Sequence, residues 1–487
     1  MLDYSPELSG LAENPNLPQH LLDHFTAVAD EDLCQDLARR ADLTVRQARN
    51  LAARCVPWTL RELIAGGALP LQDIPQDDPW LRVAAAGRPD VPAAWIHDLA
   101  RDADASIRVE LVEIGGRFGD LHDPLQLLHL LADDAHIGVV CAVAEHAALP
   151  ANLARRLAAR PDLRIRDALA RNAATPPDVL AALSADGGRP PVERCGRCED
   201  LPEGCADHEA GVHVVRAATL QNPSTPPAGL ERFLDSPDAW VRAALARRPD
   251  LPDAVYRHLA ADPDSRVRRD AAANPAVGEA LIRALAADPD RSVRNAVAAN
   301  LALPMSLLKQ LAPAVRMGGE PWPRIAAASP EELRDLARST TAQLRALVAA
   351  HPDLPADLVA ALAADPDPAV ARRLAPHPGL TPAQLHALAE HHGPPLHPAL
   401  AVNPRCPPAL LHTMATTATG TAPTHDTLLA VARHPSAPPQ TLLRCLDTPH
   451  ERVRSAAAAN PALPVAAMAR LLGTGDRPEG LQRIVPT

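Results

Sequence analysis

The sequence predicts an all-α solenoid of about seventeen two-helix repeats, each roughly 26 residues long. The first observation behind this prediction is a motif that returns along nearly the whole chain. The second is a composition that is 47% hydrophobic but only 2% aromatic, which suits closely packed helices better than a β-sandwich or barrel. The third is the presence of 53 prolines, which would interrupt long helices and therefore require short ones.

The repeat is clearest where two copies align directly. Residues 238–264 read DAWVRAALARRPDLPDAVYRHLAADPD, and residues 264–290 read DSRVRRDAAANPAVGEALIRALAADPD. With Pro249 as the marker of its unit, the equivalent positions are Pro15, Ala41, Gly67, Pro89, Gly116, Ala147, Ala173, Pro223, Pro275, Leu301, Pro330, Pro352, Pro378, Pro404, Pro435 and Pro461. Most steps between markers are about 26 residues, and one step, from Ala173 to Pro223, is about 50.

Each segment of the unit has a physical interpretation. The first helix is predicted after Asp-Pro-Asp, for example at 239–246, with small apolar residues on its inner side. The Asn-Pro or Arg-Pro pair ends this helix, because the residue before proline is pushed out of the α region. A second proline such as Pro252 starts the next helix, whose Val255 and Leu259 form an apolar stripe. The turn at 262–264 then caps the following helix, and stacked neighbours bury the stripes that single repeats cannot.

An arginine follows the apolar residue near the start of the first helix in many units. These arginines are Arg82, Arg108, Arg166, Arg216, Arg242, Arg268, Arg294, Arg345 and Arg454. One interpretation is a basic ladder that binds phosphate groups. Because aspartate recurs with the same period, we favour the other interpretation, in which each arginine pairs with an aspartate of its own or an adjacent unit.

The recurring motif N-P-x-L-P-x-x-L-x-x-L-A-x-D-P-D-x-x-V-R resembles the leucine-rich repeat variant family, bacterial repeats comparable to the helical HEAT type. The resemblance covers about residues 14–470 apart from one insertion. It implies a right-handed superhelix in which α-helices alternate with 3₁₀-helices, and it implies no catalytic residues. The family's founding example carries an iron–sulfur cluster in an N-terminal cysteine-rich domain. This chain departs from that pattern, because its N-terminal stretch has no cysteine cluster.

One interhelical turn carries an insertion whose residues are typical of a metal site. Where a unit would turn at Asp-Pro-Asp, the chain reads GRPPVERCGRCEDLPEGCADHEAG, which contains Cys195, Cys198, Cys205 and His208. The spacing Cys-x2-Cys-x6-Cys-x2-His supplies four ligands that can bind Zn²⁺ tetrahedrally. A structural metal would explain how so polar a segment folds. The alternatives are an iron–sulfur cluster on the three cysteines, with His213 as a candidate fourth ligand, and a loop that binds nothing.

Three further groups of residues stand out. The cysteines outside the insertion fall singly and are predicted to be small core residues: Cys34, Cys55, Cys141, Cys406 and Cys445. A histidine cluster near 390 is expected to be a solvated loop, with metal binding as the alternative: His386, His391, His392 and His397. Trp80 and Trp240 precede the Val-Arg position of their units. They are either exposed anchors for a partner or side chains that pack over the end of their own helix.

The motifs of common active sites are absent from the sequence, including a Gly-rich phosphate loop, a G-x-S-x-G elbow and H-E-x-x-H. We therefore expect a non-enzymatic scaffold that binds a protein or peptide. A net charge of −11 gives the chain no overall attraction to nucleic acid. A nucleic-acid-binding repeat protein and a metal- or iron–sulfur-dependent regulator remain the alternatives, and the sequence does not indicate the oligomeric state.

The expected organisation is helical repeats over 1–188, the Cys-rich insertion over 189–211, helical repeats over 212–470 and a tail over 471–487. The stretch MLDYSPELSGLAENP has neither the basic nor the apolar region of a secretory signal. No apolar run reaches the length of a membrane span. We therefore expect a cytoplasmic protein with no membrane partner.

Overall fold

A computed structural model of the protein describes residues 2, 4–114, 124–160, 162–186, 206–311, 322–417 and 422–474. Within these residues the regular structure is helical, apart from one isolated bridge between Leu2 and Ala29. The predicted all-α class is therefore confirmed. None of the described helices combines the length and the apolar character that crossing a membrane requires.

The helices alternate between two positions of the repeat, which we call A and B. The A helices precede the Asn-Pro or Arg-Pro position: α1 (Pro6–Glu13), α3 (Glu31–Ala38), α5 (Pro57–Ala65), α6 (Pro79–Ala85), α8 (Ala105–Ile114), α10 (Ile137–Glu145), α12 (Leu163–Arg171), α14 (Ala206–Gln221), α15 (Ala239–Ala246), α17 (Ser265–Ala273), α19 (Arg291–Ala299), α21 (Pro323–Ala326), α23 (Ala342–Ala349), α25 (Pro368–Leu374), α27 (His397–Ala401), α29 (Ala422–Arg433) and α31 (Glu451–Ala459).

The B helices follow that position: α2 (Gln19–Val28), α4 (Val45–Ala52), α7 (Ala93–Leu99), α9 (Pro124–Leu131), α11 (Ala151–Ala158), α13 (Pro177–Asp186), α16 (Asp253–Ala260), α18 (Glu279–Leu285), α20 (Met305–Leu311), α22 (Pro330–Ala337), α24 (Ala356–Ala363), α26 (Pro382–His392), α28 (Pro408–Thr417), α30 (Pro439–Leu446) and α32 (Val465–Leu471). Short 3₁₀-helices take the B position at Leu71–Asp73 and Leu230–Phe233, and another at Pro394–Leu396 precedes α27. The α and 3₁₀ alternation that the family resemblance implied is therefore wrong for most described repeats. An eight-residue B helix such as α16 buries Val255, Tyr256 and Leu259 on one face, which an α-helical period permits.

The predicted local signals for the helix ends are present. Asp264 is the N-cap of α17, and its carboxylate accepts a hydrogen bond of 2.8 Å from the backbone N–H of Arg266. Asp290 caps α19 in the same way through Ser292. The A helix α17 ends at Ala273, and its C-cap Asn274 has an extended backbone before Pro275.

One predicted marker position is wrong. Pro330 was assigned to the turn after an A helix, but it is the first residue of the B helix α22. Ser329 and Glu332 form a capping box around it, so this proline starts a helix rather than ending one.

The chain divides into two compact units, one comprising Met1–Ile74 with Ala328–Thr487 (unit 1) and the other Pro75–Ala327 (unit 2). In unit 2 the A helices pack side by side in chain order, from α6 and α8 through α10, α12, α14, α15 and α17 to α19. In unit 1, α23 packs on α25, and α27, α29 and α31 pack in series. The A helix α1 then packs on α31 and is followed by α3 and α5. The core of each unit is thus a row of short helices that bury mainly Ala, Leu and Val.

Candidate functional site

A row of buried asparagines joins consecutive repeats through their backbones. Asn274, the C-cap of α17, donates from Nδ2 to the carbonyl oxygens of Ala246 at 2.8 Å and Arg248 at 2.6 Å in the preceding repeat. Its Oδ1 accepts from the N–H of Ala276 at 2.9 Å. Asparagines with the same three bonds are Asn14, Asn172, Asn222, Asn300, Asn403 and Asn460. We call this row the Asn ladder.

Arginine or histidine replaces asparagine in other repeats and keeps part of the same bonding. Arg248 donates from Nη1 to the carbonyls of Leu220 and Asn222, and its guanidinium also binds the Asp250 carboxylate. His434 binds the carbonyl of Asn403 through Nε2 at 2.9 Å and accepts from the N–H of Ser436 through Nδ1. The Asn ladder was missed in the sequence, although asparagine before the marker position recurs at the repeat period and is the signal that could have found it.

Six of the nine arginines of the Val-Arg position pair with a carboxylate in a second row of contacts, as the sequence favoured, whereas Arg294 donates to the backbone carbonyls of Asp288 and Pro289. Arg242 makes a bidentate pair with Asp262 at 2.7 and 3.0 Å, and Asp262 is only 2% exposed. Arg268 with Asp288 and Arg345 with Asp365 repeat this geometry. Arg108 pairs with Asp134, Arg82 lies 3.4 Å from Asp98, and Arg454 pairs with Glu7.

In these pairs the carboxylate neutralises the positive charge of the arginine. The hydrogen bond from Arg268 lowers the pKa of Asp288, and the bond from Arg345 lowers the pKa of Asp365. The aspartates therefore stay ionised and neutralise their arginines. Five of these guanidiniums also donate to a backbone carbonyl of the turn before their own helix, as Arg242 does to Ser236 at 2.6 Å; the others are Arg108, Arg268, Arg345 and Arg454. This second row holds turns to helices.

The two tryptophans singled out in the sequence differ in exposure. Trp240, near the start of α15, is 60% exposed, and the guanidinium of Arg266 from the next repeat lies 5.8 Å from its ring centroid. Trp80 is half-buried in α6. Val214 occupies the position equivalent to Trp240 one repeat earlier and is also exposed. Trp240 is therefore an aromatic side chain held at the surface of a short packed helix.

Two cysteines that the sequence treated as single core residues are partners. Cys34 is buried in α3, whereas Cys55 is half-buried in the turn after α4. The interaction between their thiols lowers the pKa of Cys34 and raises the pKa of Cys55. Cys34, Cys406 and Cys445 are buried, which confirms the core prediction for them, whereas Cys55 and Cys141 are half-buried. Burial raises the pKa of Cys141, Cys406 and Cys445.

The predicted metal ligands Cys195, Cys198 and Cys205 lie outside the described residues. His208 is the third residue of α14, five positions before His213 on the same helix. Nδ1 of His213 lies 3.6 Å from the Asp238 carboxylate, which is too long for a hydrogen bond. The zinc and iron–sulfur assignments therefore stay predictions.

The histidine cluster near 390 belongs to a helix end rather than to a loop alone. His386, His391 and His392 lie on α26, and His397 is the first residue of α27. The rings of His391 and His392 meet edge to face with centroids 4.6 Å apart. Over the part of the chain that the structure describes, no three His, Cys, Asp or Glu side chains converge closely enough to hold a metal ion.

Taken together, these rows define a helical-repeat protein whose recurring polar residues join one repeat to the next. Residues 371–428 match the Leucine Rich Repeat Variant domain, which confirms the predicted resemblance for this segment. No curated protein matches the chain.

Three solved structures are similar to parts of the chain. A leucine-rich repeat variant with a repetitive structural motif is 22% identical, with a TM-score of 0.31, covering 53% of this chain and 88% of that one. Importin beta is 12% identical, with a TM-score of 0.22, and the match covers 93% of this chain and 64% of that one. A chain of the Pds5–Scc1 complex is 12% identical, with a TM-score of 0.21, and the match covers 83% of this chain and 65% of that one. The chain thus spans slightly less than two thirds of the last two structures.

Proposed function

We propose that this protein is a non-enzymatic repeat scaffold that binds a protein or peptide partner. The observation that carries the proposal is Trp240, a 60% exposed aromatic residue on a helix that has an aspartate N-cap and contains the paired Arg242. Exposed tryptophans on rigid elements are favoured binding anchors. The recurring asparagines and the paired arginines are occupied in contacts within and between repeats, so recognition falls to the residues that vary between repeats.

The binding proposal is tested with immobilised full-length chain and lysate of the source organism. We expect one or more proteins to be retained reproducibly by the wild type and by Val402→Ala, a control at an equally exposed apolar residue of unit 1. Trp240→Ala should weaken their retention on the order of tenfold or more. Failure to retain any protein reproducibly, or equal retention by Trp240→Ala, would contradict the proposal.

A nucleic-acid-binding role gains no support from the arginine row, because Arg242, Arg268 and Arg345 are each neutralised by an aspartate. Retention of the chain on a DNA column at low salt, and its loss as salt rises, is the result that would favour this alternative.

We also propose that the insertion binds a structural Zn²⁺ through Cys195, Cys198, Cys205 and His208. The spacing of these residues supports it, together with the position of His208 in the first turn of α14. Elemental analysis of the purified full chain should find about one zinc ion per chain, lost in the double variant Cys195→Ser/Cys198→Ser and kept in Cys141→Ser. A brown protein with visible absorption would instead indicate an iron–sulfur cluster. A metal-free wild type, prepared with zinc under reducing conditions, would refute both assignments.

A further inference from the structure

The first and last repeats of the described chain contact one another as though they were neighbours in sequence. Asn14 donates from Nδ2 to the carbonyl oxygens of Ala458 and Asn460, both at 2.8 Å. Asn460 makes the same pair of bonds to Ala432 and His434 of the repeat before it. The Asn ladder therefore passes from α31 to α1 without a change of register.

The packing across this junction is close and largely apolar. Leu11 of α1 and Val453 and Ala457 of α31 are fully buried. A Cβ placed on Gly10 would lie 2.0 Å from the carbonyl oxygen of Ser455, so the two helix backbones approach more closely than any larger residue at position 10 permits.

An ion pair between Glu7 of α1 and Arg454 of α31 crosses the same junction. Both side chains are about one-fifth exposed. Arg454 belongs to the arginine row, and its Nη1 also donates to the carbonyl of Thr448 at 3.1 Å. Glu7 thus supplies in α1 the carboxylate that an aspartate supplies for Arg242 and Arg268.

The two helices of this junction, α31 and α1, are far apart in the sequence, unlike the other packed A helices of unit 1. Elsewhere in unit 1 the packed A helices belong to repeats that follow each other in the chain, whereas α31 and α1 are linked only through the whole intervening sequence. The same contact can instead form between α1 of one copy of the chain and α31 of another, as in domain swapping.

We propose that the α31 face is a docking surface for the first repeat of a second copy of this chain, so that two copies can exchange their first repeats. The second copy fits because it presents the same α1, with Gly10 opposite Ser455, Asn14 opposite two carbonyls and Glu7 opposite Arg454. Within one chain the high effective concentration favours the intrachain contact, so exchange is expected mainly where that contact is weakened.

Charge reversal provides the test. The variants Glu7→Arg and Arg454→Glu each place like charges at the junction, both within a chain and between identical chains. When the two variants are mixed, each first repeat meets a last repeat of opposite charge in the other copy. The double variant Glu7→Arg/Arg454→Glu restores an attractive pair within one chain and should stay monomeric.

We expect the equimolar mixture to contain a heterodimer, measured by light scattering on full-length chains, in amounts roughly tenfold above the dimer in either variant alone. Adding Gly10→Leu to both chains should abolish the heterodimer. Adding Gly278→Leu should not, because nothing lies within 4 Å of a Cβ at position 278. Circular dichroism verifies that each variant is folded. A mixture that stays monomeric, or equal dimerisation by the unmixed variants, would overturn the proposal.

Discussion

Replacement of Asn300 by alanine tests the Asn ladder most directly. Asn300 is 1% exposed at the end of α19. Its Nδ2 donates to the carbonyls of Ala272 at 2.7 Å and Asn274 at 2.9 Å, and its Oδ1 accepts from the N–H of Ala302 at 2.8 Å. The alanine variant removes all three bonds at once.

The expected loss of stability in Asn300→Ala follows from these three hydrogen bonds. Each hydrogen bond contributes about 1 kcal/mol net, and a buried carbonyl left without a partner adds to the loss. The carbonyl of Asn274 keeps one bond, from the N–H of Val277 at 3.2 Å. We therefore expect Asn300→Ala to lower the stability of the α17–α19 contact by about 2–4 kcal/mol.

The assay is native-state hydrogen exchange, because a repeat array opens locally and a single unfolding midpoint would not isolate one contact. The matched control is Asn295→Ala, an exposed position in the same helix, where alanine should stabilise the helix by a few tenths of a kcal/mol. Asn300→His should recover part of the loss, since His434 performs the same role. If the amides of α17 and α19 exchange equally fast in Asn300→Ala and Asn295→Ala, the ladder does not stabilise the array as argued.

Three further predictions follow from the described contacts. Burial lowers the pKa of His146 and His377, so the unfolded chain takes up protons first as pH falls below about 6.5. Stability should therefore decline between about pH 7 and 5 in urea titrations, and less so in His146→Asn/His377→Asn. Arg242→Met leaves the buried Asp262 without its cation and should cost about 3 kcal/mol of local stability, measured by native-state hydrogen exchange. Arg266→Met removes an exposed pair with Asp264 and should cost much less, so equal losses would contradict the argument. Cys55→Val removes the thiol that interacts with Cys34 and should raise the pKa of Cys34, measured from the thiolate absorbance; an unchanged titration would exclude that interaction.

The helices and the turns between them were predictable from the sequence alone. The aspartate caps, the prolines and the extended residue before each proline act within a few residues of their own position, so Asp264 and Asn274 could be placed without a structure. The wrong assignment of Pro330 shows where this local reasoning ends, because proline both ends and starts helices and only the capping box of Ser329 distinguishes the two.

Contacts between residues far apart in the sequence were not predictable in this way. The partners of Asn274 lie 26 and 28 residues away, and those of Asn14 lie more than 400 residues away, although both asparagines make the same bonds. The approach of Cys55 to Cys34 and of α1 to α31 likewise carries no local signal. These contacts depend on how the repeats stack, and helix periodicity specifies that a face must be buried but does not specify which repeat buries it.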